Sequence, residues 1–155
     1  MLARRNKIKR APISCGCVYL VFFLLMLPSV FAEPEVAVLG TNLTEISDGA
    51  GSPSLSDGTT FASNRISTGY DDHLFTITNS GTTALTITGV TTNGTNADDF
   101  LVVGSPSSEV LANETTTFTV RFDPSALGTR SATIHVNNDD ADEADYDFAV
   151  QGLGV

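Results

Sequence analysis

"TTTFTVRFDPSALGTRSATIHVNNDDADEADYDFAVQ", residues 115–151, carries three apolar runs of one kind. Phe118, Val120 and Phe122 alternate with Thr119 and Arg121; Ala132, Ile134 and Val136 alternate with Thr133 and His135; Tyr146, Phe148 and Val150 alternate with Asp147 and Ala149. Successive side chains of a strand point to opposite faces, so each run offers one face to a core and the other to water. A helix would space its apolar positions every three to four residues, and parallel strands buried on both faces would read as unbroken apolar runs. Pro124 and Gly128 punctuate the first connection, and Asn137 to Asp145 make the second. Such residues close turns by their own backbone and side-chain preferences. The stretch predicts successive antiparallel strands at Thr115 to Phe122, Ser131 to Val136 and Tyr146 to Gln151.

Upstream the same period recurs at Glu35 to Leu39, Leu74 to Asn79, Ala84 to Val90 and Phe100 to Val103, with Phe75, Ile77, Leu85, Ile87, Phe100 and Val102 on the apolar faces. No segment sustains a helical period, and no internal repeat of 20 to 50 residues is visible. About seven strands predict an all-β antiparallel sandwich. Gly40 to Asp72, rich in Gly, Ser, Thr and Asp, reads as an irregular excursion with short edge strands near Leu43 to Ile46 and Thr59 to Phe61.

The first 32 residues have a different character. MLARRNKIKR holds five basic side chains and no acid, Val18 to Leu27 is apolar, Pro28 breaks it, and Val30 and Ala32 fill the positions that signal peptidase needs compact. This predicts a signal peptide over residues 1–32, cleaved after Ala32, since ten apolar residues are few for a membrane span of roughly 20. Cys15 and Cys17 precede the apolar run, which argues against lipid attachment there. Residues 33–155 are then a single disulfide-free domain, secreted or held at the cell envelope.

Those residues hold three arginines (Arg65, Arg121 and Arg130), no lysine and all 18 acids, a formal −15 with neutral histidines. Such a surface repels phosphate backbones and anionic lipid heads, which predicts no nucleic-acid partner and no membrane insertion after signal cleavage.

The blocks FTITNSGTTALTITGV, NADDF and TFTVRFDPSALGTRSATIHVNNDDADEADYDFAVQGLGV resemble the bacterial choice-of-anchor D domain, which is similar to the abnormal-spindle and hydin (ASH) type of immunoglobulin-like domain. The resemblance runs from Pro34 to Val155. It implies an immunoglobulin-like β-sandwich on exported bacterial proteins, often in tandem and followed by an anchor, with no shared catalytic residue. The chain is expected to be a free secreted module or a piece of a longer anchored protein.

The sharpest candidate for chemistry is the acidic stretch from Asp139 to Asp147, with six carboxylates in nine residues. Lying between two strands, it reads as a solvated turn. The alternative is a weak calcium site in which Asp140, Asp142 and Asp145 converge, although the spacing departs from an EF-hand loop, with Asp145 at the sixth position and Gln151 at the twelfth. His73 and His135 are the only histidines, each at a strand position, and read as surface side chains. No G-x-S-x-G elbow is present and no histidine has an evident acid, so no catalytic residue, metal ligand or cofactor is assigned and the chain is not expected to be an enzyme. The T-x-T pairs at Thr76, Thr86 and Thr117 are what exposed strands prefer, and the sequons at Asn42, Asn93 and Asn113 read as chance in a threonine-rich chain. Arg121, outward on its strand, is expected to pair with an acid across the sheet.

Three functions fit. The favoured one is a secreted or cell-surface interaction module presenting loops or an edge strand to a protein or glycan partner. The others are a structural spacer from a longer anchored protein and a carbohydrate-binding accessory. A sugar platform needs exposed aromatic rings, and with no Trp in the chain the candidates are Tyr70 and Phe61.

Overall fold

The alternating runs pair into two antiparallel sheets in a computed structural model, which describes residues 32–155. The strands are β1 (Val36–Leu39), β2 (Glu45–Ile46), β3 (Asp71–Asn79), β4 (Leu85–Asn93), β5 (Phe100–Gly104), β6 (Glu109–Val110), β7 (Thr115–Phe122), β8 (Gly128–Asn138) and β9 (Asp145–Gly154). A single 3-10 turn, Ala97–Asp99, leads into β5. One sheet has the order β2-β1-β3-β7-β5 and the other β6-β4-β8-β9. Residues 1–31 of the predicted signal peptide, with its cysteines, lie outside the described residues, and among those described no helix is long and apolar enough to cross a membrane.

The apolar positions named from the alternation form the buried core between the sheets, except Val102, which is only half-buried on the edge strand. Phe75, Ile77, Phe118, Val120 and Phe122 from one sheet meet Leu85, Ile87, Ile134, Val136, Phe148 and Val150 from the other, all buried. Phe75 stacks on Phe118 at 5.3 Å and reaches across to Phe148 at 5.4 Å, while Phe100 stacks on Phe122 at 4.9 Å. Such aromatic pairs each add about 0.5–1.5 kcal/mol beyond the area they bury. Gly152 is buried opposite the Phe122 ring, and a Cβ there would lie 2.4 Å from Cε1. The ring's position therefore requires glycine.

Among the described residues nine strands stand where about seven and one or two short edge strands were expected. Glu45–Ile46 falls inside the expected edge strand, whereas Glu109–Val110 was unforeseen because two residues display no alternation. The expected strand at Thr59 to Phe61 is reduced to one parallel bridge, Thr60 to Gln151. β4 runs on to Asn93, past a register shift between Ile87 and Gly89 that interrupts its pattern.

The excursion between β2 and β3 has a definite task. Residues 49–66 run beside β9 and take up its outer edge. Gly49 N–H donates to Asp147 O at 2.8 Å, Phe61 N–H to Gln151 O at 2.8 Å and Asn64 N–H to Leu153 O at 2.9 Å. In return Ala149 N–H donates to Ala50 O at 2.7 Å and Val155 N–H to Asn64 O at 2.9 Å. A ten-residue edge strand left bare would template pairing with other chains, and this strap removes that possibility.

Candidate functional site

Among the described residues no such strap covers the far edge of the five-stranded sheet. β5 pairs with β7 on one side only, and Phe100 to Ser108, "FLVVGSPSS", has no charged side chain in a strongly acidic domain. In register across the outer face stand Leu101, Arg121 and Asp72, followed by Gly104, Thr119 and Leu74. Arg121 donates from Nε to Asp72 Oδ1 at 2.8 Å and from Nη2 to Oδ2 at 2.7 Å. Its guanidinium carbon also lies 3.7 Å from the centre of the Tyr70 ring. The Arg121 hydrogen bonds lower the Asp72 carboxyl from its ordinary value, against a smaller opposing effect of burial. The expected cross-strand partner of Arg121 is thus Asp72. Tyr70, Leu74, Leu101 and Val103 are 57%, 52%, 46% and 47% exposed, a concentration of large apolar groups around one arginine. Tyrosine and arginine fixed among apolar neighbours are the composition of interface centres.

Phe61, the second candidate for a sugar platform, is 3% exposed. The strap folds it onto the sandwich, where it stacks on His73 at 4.0 Å and abuts Phe100 and Phe122. His73 is likewise no free surface group. Its Nδ1 lies 2.6 Å from Gly58 O and its Nε2 3.1 Å from Asp71 Oδ2, so it clamps the strap to β3.

The acidic hairpin between β8 and β9 departs from the expected solvated turn. Asp140 is 1% exposed, and its Oδ2 accepts Val36 N–H at 2.9 Å. Asn138 donates from Nδ2 to Val136 O and Glu143 O and accepts Asp140 N–H, which folds the loop on itself. Asp139 accepts Thr86 N–H at 2.7 Å, the main cause of its lowered pKa. A carboxylate surrounded by free backbone donors is better satisfied inside the loop than in water, and that reverses the solvated reading for Asp140. Asp142 stays exposed, and Asp145 reaches His135 on the outer face of β8. The three calcium candidates therefore point to three separate tasks. Among the described residues, the one set of three whose ligand atoms lie within 4.8 Å of one another is His135, Asp145 and Asp147.

Sequence reasoning also missed the ion pair of Asp99 with Arg130, which draws the 3-10 turn onto β8. Asp99 is 1% exposed and also accepts Ser125 N–H at 3.2 Å. Burial alone would raise its carboxyl, but the bonds from Arg130 and Ser125 outweigh it and lower the pKa. An acid one residue before a core phenylalanine, in "NADDF", was the available signal.

Solved structures resemble this sandwich, among them two that cover most of its length. A protein of unknown function from Porphyromonas gingivalis W83 superposes with a TM-score of 0.55 at 14% identity, over 83% of this chain and 51% of that one. The chain thus spans about half that protein's length. The ASH / PapD-like domain of human CEP192 (PapD-like domain 7) superposes with a TM-score of 0.52 at 11% identity, over 100% of this chain and 96% of that one. At such identities the likeness is one of fold. No curated protein matches the chain by sequence. The profile of the HYDIN/CFA65/VesB-like, Ig-like domain matches residues 64–152, from the end of the strap to the last core strand, and the chain belongs to that family.

Proposed function

We propose that this domain is a secreted or cell-surface interaction module without catalytic residues, and that it docks an extended segment of a partner protein along β5. The observation that carries the reading is the contrast between the two outer edges: β9 is sealed by its strap, while β5 has no strand or strap among the described residues on its outer side, beside Leu101 and Val103. An added strand would gain main-chain hydrogen bonds from the edge and side-chain contacts from the apolar face. The −15 charge disfavours a second copy of the chain and favours a segment with basic flanks. The leader sequence supports export. The choice-of-anchor D blocks support a bacterial surface setting, from which a spacer role would also follow.

A photo-crosslinking side chain at Val103, compared with one at the exposed Thr129, tests the docking edge. Capture of a partner at 103 but not 129, lost when Leu101→Lys places a charge on the edge, supports it; equal capture at both positions refutes it. Burial of Phe61 leaves Tyr70 as the platform candidate, so glycan binding that Tyr70→Ala abolishes would replace this reading with the accessory one.

A further inference from the structure

The outer face of the other sheet carries a second, unrelated constellation. His135 on β8 stands in register with Asp147 on β9, and Asn137 with Asp145, so both carboxylates share a face two residues apart with the imidazole between them. His135 Nδ1 lies 3.0 Å from each oxygen of Asp145 and 4.0 Å from Oδ2 of Asp147. In a tetrahedral site with metal bonds of about 2.1 Å, neighbouring ligand atoms stand roughly 3.4 Å apart. The two His135 separations straddle that value and the three ligand atoms all lie within 4.8 Å of one another, so side-chain rotations would bring them onto one ion.

Four further features define the site. The His135 side chain is 15% exposed, against 53% for Asp145 and 38% for Asp147, which places the ring at the floor and leaves the carboxylates open to water for a fourth ligand. Nε2 is shut off from water without a hydrogen-bond partner, so Nδ1 is the nitrogen through which the ring can meet an ion. The backbone beneath is fixed, since Asp147 N–H donates to Asp48 Oδ1 at 2.8 Å and Asp147 O accepts Gly49 N–H. Arg121 and Arg130 are bonded to Asp72 and Asp99, far along the sheets, so neither neutralises this pair.

We propose that His135, Asp145 and Asp147 bind a divalent transition ion of the zinc class. One imidazole with two carboxylates suits zinc, cobalt or nickel, whereas calcium takes six to eight oxygens and no nitrogen. The site is independent of the β5 edge, so either proposal can fail without the other.

The test is titration of the full chain with Zn²⁺, and with Co²⁺ as a visible reporter, in a Cys15→Ser, Cys17→Ser background that removes the leader thiols. One equivalent should bind, with a change in the His135 imidazole ¹⁵N resonances and none in those of His73. His135→Gln and Asp147→Asn should each weaken binding at least tenfold, and Asp147→Asn, on a partly exposed position, should keep the metal-free melt unchanged. An unmoved His135 resonance at 1 mM Zn²⁺, which would mean a simple His–Asp ion pair, overturns the proposal. So does equal binding by the Asp145→Asn, Asp147→Asn double variant, or displacement of Zn²⁺ by equimolar Ca²⁺.

Discussion

The carboxylate of Asp140 accepts the backbone N–H of Val36 across 104 positions of sequence, and this one bond fastens the β8–β9 hairpin to the start of β1. Asp140 is therefore a framework residue. Replacing it with Ala strands the Val36 donor and should cost about 1–3 kcal/mol. Asp142→Ala, at the exposed tip, should change stability by less than about 0.5 kcal/mol. Urea unfolding of both variants at pH 7 checks the contrast; equal losses would mean that the acidic loop acts as a unit.

Asp99 and Arg130 form the most buried ion pair among the described residues. Because the folded carboxyl titrates below its ordinary 3.8, its stabilising effect is complete above that value and fades as pH falls through the lower folded value. Arg130→Met leaves a buried carboxylate unpaired and should cost roughly 3 kcal/mol at pH 7. The penalty should shrink in acid, where Asp99 takes up a proton. Urea midpoints of the two proteins should converge as pH falls below the ordinary 3.8 and through the lower folded value.

The sandwich was legible wherever burial follows a period of two. Phe118, Val120 and Phe122, and likewise Ile134, Val136, Phe148 and Val150, lie on the side that their alternation assigns. The partner of Arg121 was foreseeable in kind, since an outward cation on a central strand meets what stands across from it. The strap was not legible, because residues 49–66 bind β9 through their backbone and a backbone bond leaves no mark on residue type. Phe61 was misjudged for the same reason: its burial depends on where the strap lies. Asp140 looks like any loop acid until Val36 is brought beside it. The His135 constellation depends on hairpin register, and a slip of one residue between β8 and β9 would put Asp147 on the other face.

Gly152→Ala tests how tightly the Phe122 ring is held. The added Cβ would overlap a ring pinned by Phe100 and Phe61, so the strand or the ring must shift. Overpacking of this kind costs about 1–3 kcal/mol. A melting curve within a degree of the parent would mean that the aromatic cluster has room to yield.

Glu143 responds to pH in the opposite sense from Asp99. Burial, followed by the charges of Asp140, Asp48, Glu35 and Asp142, raises its carboxyl above the ordinary 4.5. An acid whose folded pKa is raised disfavours folding while ionised, so the penalty is present at pH 7 and is relieved as pH falls through the raised value. Glu143→Gln removes the charge and should stabilise the domain by about 0.5 kcal/mol at pH 7, with the advantage gone below pH 4. Salt screens this repulsion, so raising ionic strength from 0.01 M to 1 M shortens the Debye length from about 30 Å to about 3 Å and should narrow the gap between variant and parent at pH 7. A gain that persists unchanged at low pH and high salt would assign the effect to packing of the amide instead.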